Sequence, residues 1–200
     1  MEEITLITSV CQTNTYILID NGEAVVIDPG DNADAILKII HDRNAQPKHV
    51  LITHGHYDHI GAAAELQKSG ALLYMSQTDH ALVDFDEQGL FGAPRGKFDL
   101  DVPVSDGKIL NIIGHDFKVI STAGHTPGGV CYVMDDRVIF SGDTLFRSSV
   151  GRTDFPFADS SALKASVKKL FALPHDYTVC AGHGPKTTLD FERKYNPYVD

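Results

Sequence analysis

Apolar residues gather in short runs divided by turn residues, and the pattern along the chain alternates strands with helices. Ile4 to Val10 and Thr15 to Ile19 read as strands with a short connection. Asn21-Gly22 is a hairpin dipeptide, and Ala24 to Ile27 is the returning strand, ended by Asp28-Pro29-Gly30. Asp31 or Asn32 can cap a helix reaching about Asp42, with Ile36, Leu37 and Ile40 on one face. Val50 to Thr53 is a short buried strand. A helix follows to about Ser69, with Gly70 suited to the position after its end. Ala71 to Tyr74 is a strand and Gln77 to Val83 a helix. Gly89 to Lys97, with three glycines and a proline, reads as a loop. In the second half the strands are Lys108 to Ile113, Phe117 to Ser121, Gly129 to Met134 and Val138 to Ser141, the last two joined by a tight turn at Asp135-Asp136. Ser160 to Phe171 is a helix stopped ahead of Pro174, and Thr178 to Ala181 is a final strand.

Two strand-rich halves, each carrying helices, predict an α+β chain with two sheets face to face and helices outside. Two hundred residues, 42% hydrophobic and 22% charged, suit one domain over 1–200 with a sizeable core. The net charge of −10 argues against nucleic-acid or anionic-membrane partners, which require a basic face. The N-terminus Met1-Glu2-Glu3 has no basic leader region, and no apolar run approaches spanning length. Cys11, Cys131 and Cys180 are sparse and odd in number, which predicts reduced thiols and a cytoplasmic location.

The chemistry concentrates in Thr53-His54-Gly55-His56-Tyr57-Asp58-His59, between a buried strand and a helix. In extended chain, residues two apart point the same way, so His54 and His56 can grip one ion. Asp58 and His59 fall where the chain turns and can face a second ion; Asp58 also suits the helix N-cap. Imidazole and carboxylate are ligands that zinc, iron and manganese accept. Three further candidates also follow strands and sit beside glycine: His125 in Ala123-Gly124-His125-Thr126-Pro127, Asp143 in Ser141-Gly142-Asp143-Thr144, and His183 in Ala181-Gly182-His183-Gly184. Loops at strand ends, held by a rigid scaffold, are where sites usually lie. The remaining histidines, His41, His49, His80, His115 and His175, read as surface or helix-end residues. Tyr57 can line the site mouth or pack on the core.

This set, His54-x-His56-x-Asp58-His59 followed by His125, Asp143 and His183, resembles the metallo-β-lactamase superfamily. The resemblance implies a four-layer αββα sandwich and two divalent metal ions, zinc first, with iron or manganese as alternatives. It implies His54, His56 and His125 on one metal, Asp58, His59 and His183 on the other, and Asp143 bridging. It implies that Asp28 buttresses the metal loop, fixing ligand orientation.

An aspartate at the bridging place with Asp58-His59 both present is similar to the glyoxalase II branch and unlike true β-lactamases. The run Leu145 to Pro156, with Gly151-Arg152-Thr153-Asp154-Phe155, and the tail through Asn196-Pro197-Tyr198 resemble short glyoxalase-II-like hydrolases of prokaryotes, from about Cys11 to Val199. Two features depart from the full-length enzymes. The sequence ends at Asp200 without their C-terminal helical domain, and Gly184-Pro185 stands where Glu-Tyr commonly follows the last histidine. Arg152 aligns with a substrate-binding lysine and can pair a carboxylate through its planar fork; it can equally form a structural ion pair with Asp154.

The function implied is hydrolysis of a small-molecule thioester, S-lactoylglutathione or a related hydroxyacyl thioester, by a hydroxide shared between the metals, with Asp58 orienting it. An iron-dependent persulfide dioxygenase, an oxidoreductase of the same superfamily, is the alternative from another class; a hydrolase of another ester or a lactone is a third. The sequence leaves the oligomeric state open.

Overall fold

The computed structural model describes residues 1–85, 89–91 and 96–198. The N-terminal half runs β1 (Glu2–Thr8), β2 (Thr13–Asp20), β3 (Glu23–Ile27), α1 (Ala33–His41), β4 (Gln46–Leu51), α2 (Tyr57–Ile60), α3 (Ala63–Lys68), β5 (Leu72–Ser76), α4 (Gln77–Phe85) and β6 (Val102–Val104). The C-terminal half runs β7 (Ile109–Ile112), β8 (His115–Ser121), β9 (Val130–Met134), β10 (Val138–Gly142), β11 (Leu145–Phe146), β12 (Ser149–Val150), α5 (Ser160–Phe171), β13 (Thr178–Ala181), β14 (Thr187–Thr188) and α6 (Leu189–Tyr195).

Each half builds one six-stranded sheet. The first has the order β1-β2-β3-β4-β5-β6 and the second β14-β13-β10-β9-β8-β7. Strands β3 to β6 are mutually parallel, as are β10 and β13; the other pairings in the two sheets are antiparallel. Side-chain alternation separates three cores. On β2, Tyr16 and Leu18 face the second sheet, where they join Val25, Leu51, Phe117, Tyr132 and Phe140. Ile17 and Ile19 face the other way, onto Ile36 and Ile40 of α1 and Leu66 of α3. Behind the second sheet, Val133, Ile139 and Val179 pack on Val167 and Leu170 of α5. A strand buried on both faces must be apolar at successive positions, which is why Tyr16 to Ile19 reads as an unbroken run. The layers are therefore helix, sheet, sheet, helix, as expected. Among the described residues, no helix is long and apolar enough to cross a membrane.

Several boundaries differ from the sequence reading. The helix expected to run to Ser69 is two pieces, α2 and α3. The Asp28-Pro29-Gly30 turn intrudes between them: the Ala62 amide donates to the Pro29 carbonyl at 2.8 Å. A Cβ on Gly61 would lie 2.1 Å from the Gly30 carbonyl oxygen, so the backbones meet only because residue 61 has no side chain. The N-cap of α2 is His56, and Asp58 lies inside the helix; its carboxylate accepts instead from Thr13 Oγ1 at 2.8 Å.

Strands β6, β11, β12 and β14 have two or three residues each, too few for any period to register. Helix α6 was hidden because a charged residue occupies its buried face. Glu192 is fully buried and accepts from Thr187 Oγ1 at 2.6 Å, Asn196 Nδ2 at 2.8 Å and the Ser148 amide at 2.9 Å. Of the loop expected over Gly89 to Lys97, residues 92–95 lie outside the described residues, as does Val199.

Candidate metal centre

Four loops leave the ends of β4, β8, β10 and β13 and meet at one edge of the sandwich. They are joined there by backbone bonds: Val130 N to Thr53 O at 2.9 Å, Gly182 N to Gly142 O at 2.8 Å, and Asn14 N to Gly182 O at 2.7 Å. The seven expected residues come together. Three overlapping groups each place one potential ligand atom per residue within 4.8 Å of the others: His54, His56 and His125; Asp58, His59 and His183; and His54, His59 and Asp143.

In the first group, His54 Nε2 and His125 Nε2 lie 3.1 and 3.0 Å from His56 Nδ1. The opposite ring nitrogens decide what these atoms carry. Thr53 Oγ1 spends its one proton on Asp28 Oδ2 at 2.7 Å, so at 3.1 Å it accepts from His54 Nδ1–H. His125 Nδ1–H donates to the Arg152 carbonyl at 2.7 Å, which is only an acceptor. In the neutral rings both Nε2 atoms therefore present lone pairs, and a single His56 Nδ1–H could satisfy one of them at most. His56 Nε2 is itself buried without a hydrogen-bond partner among the described residues. Nitrogens bound to one tetrahedral cation at about 2.0–2.1 Å sit roughly 3.3 Å apart, so the cluster fits a cation better than it fits protons. Burial, followed by the neighbouring imidazoles, pushes His56 down to about 3 and holds His54 well below the ordinary range. Both are thus neutral, the ligating form.

The second group is His59 Nε2, His183 Nε2 and Asp58 Oδ2, with separations of 3.4, 3.6 and 3.3 Å. Asp143 faces both groups. Its Oδ1 is 3.4 Å from His59 Nε2, and its Oδ2 is 3.4 Å from His125 Nε2 and 3.5 Å from His183 Nε2. These spacings exceed hydrogen bonds of good geometry but suit ligands sharing a cation. Asp143 Oδ1 is buried and unpartnered among the described residues. Burial opposes charge on Asp58 and Asp143, yet the adjacent imidazoles win: Asp58 is pulled down to about 2 and Asp143 falls well below the carboxylate range. The same attraction overcomes burial at His183, raised to about 10 by Asp143 and Asp58, and raises His59 beside Asp143 and Asp28. The acidic side of the cluster thus holds protons where a divalent cation would sit.

Asp28 occupies its expected supporting place. Oδ2 accepts from His59 Nδ1–H at 3.0 Å as well as from Thr53 Oγ1, and Oδ1 accepts from the Thr53 amide at 2.8 Å. One carboxylate thereby orients His59 directly and His54 through a hydroxyl, the arrangement that fixes tautomers around metals. Thr53 carries these contacts and Thr13 the one to Asp58; neither was anticipated, since hydroxyl residues near a motif have no distinguishing pattern. Arg152 places its fork on Asp154, at 2.9 and 2.7 Å, with both side chains about two-thirds exposed. This is the structural alternative; the guanidinium also lies 4.3 Å over the Phe155 ring, which in turn stands near His56.

Tyr57 meets the exposed Cys11 thiol with its hydroxyl at 3.0 Å. His49 departs from the surface reading: it is half-buried in β4, with Nδ1 3.0 Å from the Tyr74 hydroxyl. The mouth of the cluster lies at His183, the most exposed of the seven at 28% of its side chain. Space there is tight, since a Cβ on Gly182 would sit 2.2 Å from Asp143 Oδ1.

The sequence profile described as the metallo-beta-lactamase superfamily matches residues 8–183. Hydroxyacylglutathione hydrolase GloC of Haemophilus influenzae is 35% identical, over 99% of this chain and 97% of that protein. Among solved structures, BLEG-1 B3 metallo-beta-lactamase is 33% identical with a TM-score of 0.89, covering 99% of both chains. TTHA1623 in a di-iron-bound form is 36% identical with a TM-score of 0.85, covering 99% of this chain and 100% of that one.

Proposed function

Because the chain belongs to the metallo-β-lactamase superfamily, we propose that it is a two-metal hydrolase acting on a hydroxyacyl thioester of the S-lactoylglutathione kind. The observation that carries the reading is the pair of ligand groups flanking Asp143, with two lone-pair nitrogens that one His56 proton cannot both satisfy. His54, His56 and His125 would hold one cation, and Asp58, His59 and His183 the other, with Asp143 between them. Bound divalent cations supply Lewis acidity, lowering the pKa of water from 15.7 to about 7 and polarising a carbonyl. Zinc is the first choice; the di-iron form of TTHA1623 makes iron the next, and manganese accepts the same ligands.

The chain's own residues set the rest. Asp58 is ionised and held by Thr13, so it is an acceptor that can orient a water proton at the site. A departing thiolate, with a conjugate pKa of about 8.5, needs no general acid, which agrees with a cluster offering no spare histidine. Cys131 and Cys180 are unsuited to nucleophilic catalysis: burial pushes them up to about 11 and about 12, far from the thiolate form. Arg152, exposed beside the aromatic wall of Phe155, is the proposed contact for a substrate carboxylate, exchanging Asp154 for the ligand. The GloC name supports the thioester, and the BLEG-1 title makes a β-lactam arm necessary in the test. The partner proposed is thus a small molecule and not nucleic acid or membrane.

The experiment loads purified protein separately with zinc, iron and manganese and measures thiol release from S-lactoylglutathione. Metal-dependent release is expected. A β-lactam and a lactone are assayed beside it, and oxygen uptake is followed with glutathione persulfide. Absence of thiol release with every metal rejects the thioester; oxygen consumption with persulfide turns the assignment to the dioxygenase.

A further inference from the structure

Asp79 lies in the first turn of α4 and is completely buried. Its Oδ2 accepts from the Gly55 amide at 3.0 Å and from Thr126 Oγ1 at 2.7 Å, and its Oδ1 accepts from the Gly128 amide at 2.6 Å. Gly55 is the residue between His54 and His56, and Thr126 directly follows His125. The carboxylate therefore ties the loop after β4, in the first sheet, to the loop after β8, in the second. These two loops supply all three histidines of the first group.

The chemistry requires a carboxylate here. Three donors, two of them main-chain amides, converge on two oxygens of one side chain, and only an ionised carboxylate accepts at every position. The bonds are charge-assisted, two of them short at 2.7 and 2.6 Å, and they offset part of the upward shift that burial gives this acid. Asp79 is itself braced, since its amide donates to Ser76 Oγ at 3.2 Å. The spacing at stake is the 3.0 Å between His125 Nε2 and His56 Nδ1, atoms that come from opposite sheets.

We infer that Asp79 is a positioning residue for the three-histidine group: its carboxylate fixes the separation of the His54–His56 loop from the His125 loop and so sets the cation affinity of that group alone. The inference rests on the reading of the cluster as a metal centre. It makes no claim on Asp58, His59 and His183, which Asp79 does not touch.

Cobalt(II) titration of the metal-free full chain tests it. Each cobalt-bound imidazole contributes a paramagnetically shifted, exchangeable N–H proton resonance, so the three-histidine position is followed separately from the two-histidine one. In Asp79→Asn, one of the converging donors meets an amide N–H. The cobalt dissociation constant of the three-histidine position should rise about 10–100-fold, the range for lost support behind ligands, while the two-histidine position keeps the parent value. Thr126→Val removes one bond of the three and should act in the same direction by less; it carries the comparison if the asparagine variant does not fold. Parent-like constants at both positions, or parallel weakening of both, overturn the inference. A parent protein that binds no cobalt removes the metal reading as well, whereas a parent that binds two with indifferent variants removes only the role of Asp79.

Discussion

Replacing Asp28 by asparagine separates hydrogen-bond chemistry from backbone effects. Asp28 has a φ of 49°, in the left-handed region that asparagine tolerates and alanine resists by about 1–2 kcal/mol. The carboxylate takes three donors: the Thr53 amide, the Thr53 hydroxyl and His59 Nδ1–H. Asparagine offers one oxygen, so whichever way the amide turns, a buried donor faces an N–H. A bond to a charged acceptor contributes about 1.5–3 kcal/mol and a neutral one about 0.5–1.5. Losing one and weakening two gives roughly 3–5 kcal/mol. At this chain length each kcal/mol shifts Tm by about 2–4 °C, so metal-free Asp28→Asn should melt roughly 6–20 °C below the parent. The Asp58, His59 and His183 position should lose about 10–100-fold in metal affinity, because His59 is no longer held with Nε2 toward the cation. Calorimetry of metal-free protein gives the first quantity and competition with a chelator the second. A melting point within about 2 °C of the parent, together with unchanged affinity, would refute the role assigned to Asp28.

Gly182→Ala puts a methyl group 2.2 Å from Asp143 Oδ1; the variant should retain at most one metal per chain by elemental analysis, and full retention of two would contradict the placement of Asp143. Arg152→Ala should leave Tm unchanged, since its partner Asp154 is exposed and such pairs contribute little, yet raise KM for a carboxylate-bearing thioester with kcat preserved. An unchanged KM assigns Arg152 to the ion pair alone. Metal uptake should release protons, because His59 and His183 have raised affinities for them in the metal-free fold and ligands bind deprotonated. The sign follows: apparent affinity rises with pH, and an indicator dye in weak buffer should register acidification. Uptake without acidification would contradict the proton placement.

The seven candidate ligands were legible because chemistry restricts them to histidine and aspartate and because each lies just past a strand marked by a short apolar run. What stayed hidden depends on contacts distant in sequence. Thr53 and Thr13 are ordinary until Asp28 and Asp58 are brought beside them. Asp79 sits in a helix whose sequence gives no hint that its first turn faces two loops. Gly61 looked like one more small residue inside a helix; only the approach of Gly30 makes it the break. Glu192 likewise shows no sign of its burial in the sequence, because the three groups that donate to it meet it only in the fold.

The site also depends on how the two sheets are held in register at the edge where the loops meet, and two tyrosines crossing the central core do this from opposite sides. Tyr16, from the first sheet, donates to the Ala181 carbonyl in the second at 2.8 Å, two residues before His183. Tyr132, from the second sheet, donates to the Ile52 carbonyl in the first at 3.0 Å, two residues before His54. Burial raises the pKa of both phenols well above the ordinary value, so each remains a donor throughout the usable pH range. Phenylalanine at either place keeps the ring and leaves a buried carbonyl with one bond fewer, a cost of about 1–3 kcal/mol. If the tyrosines set loop register, Tyr132→Phe should weaken metal binding at the His54 side, Tyr16→Phe should weaken it at the His183 side, and neither effect should vary with pH beyond that of the parent. Tyr177→Phe is the control, since that hydroxyl meets Asp136 on the Asp135-Asp136 turn, away from every ligand; it should lower Tm without touching metal affinity. Should all three variants lose stability alike and leave metal binding intact, the tyrosines stabilise the sandwich without tuning its edge, and the ligand loops must then be held by their own backbone bonds and by the carboxylates behind them.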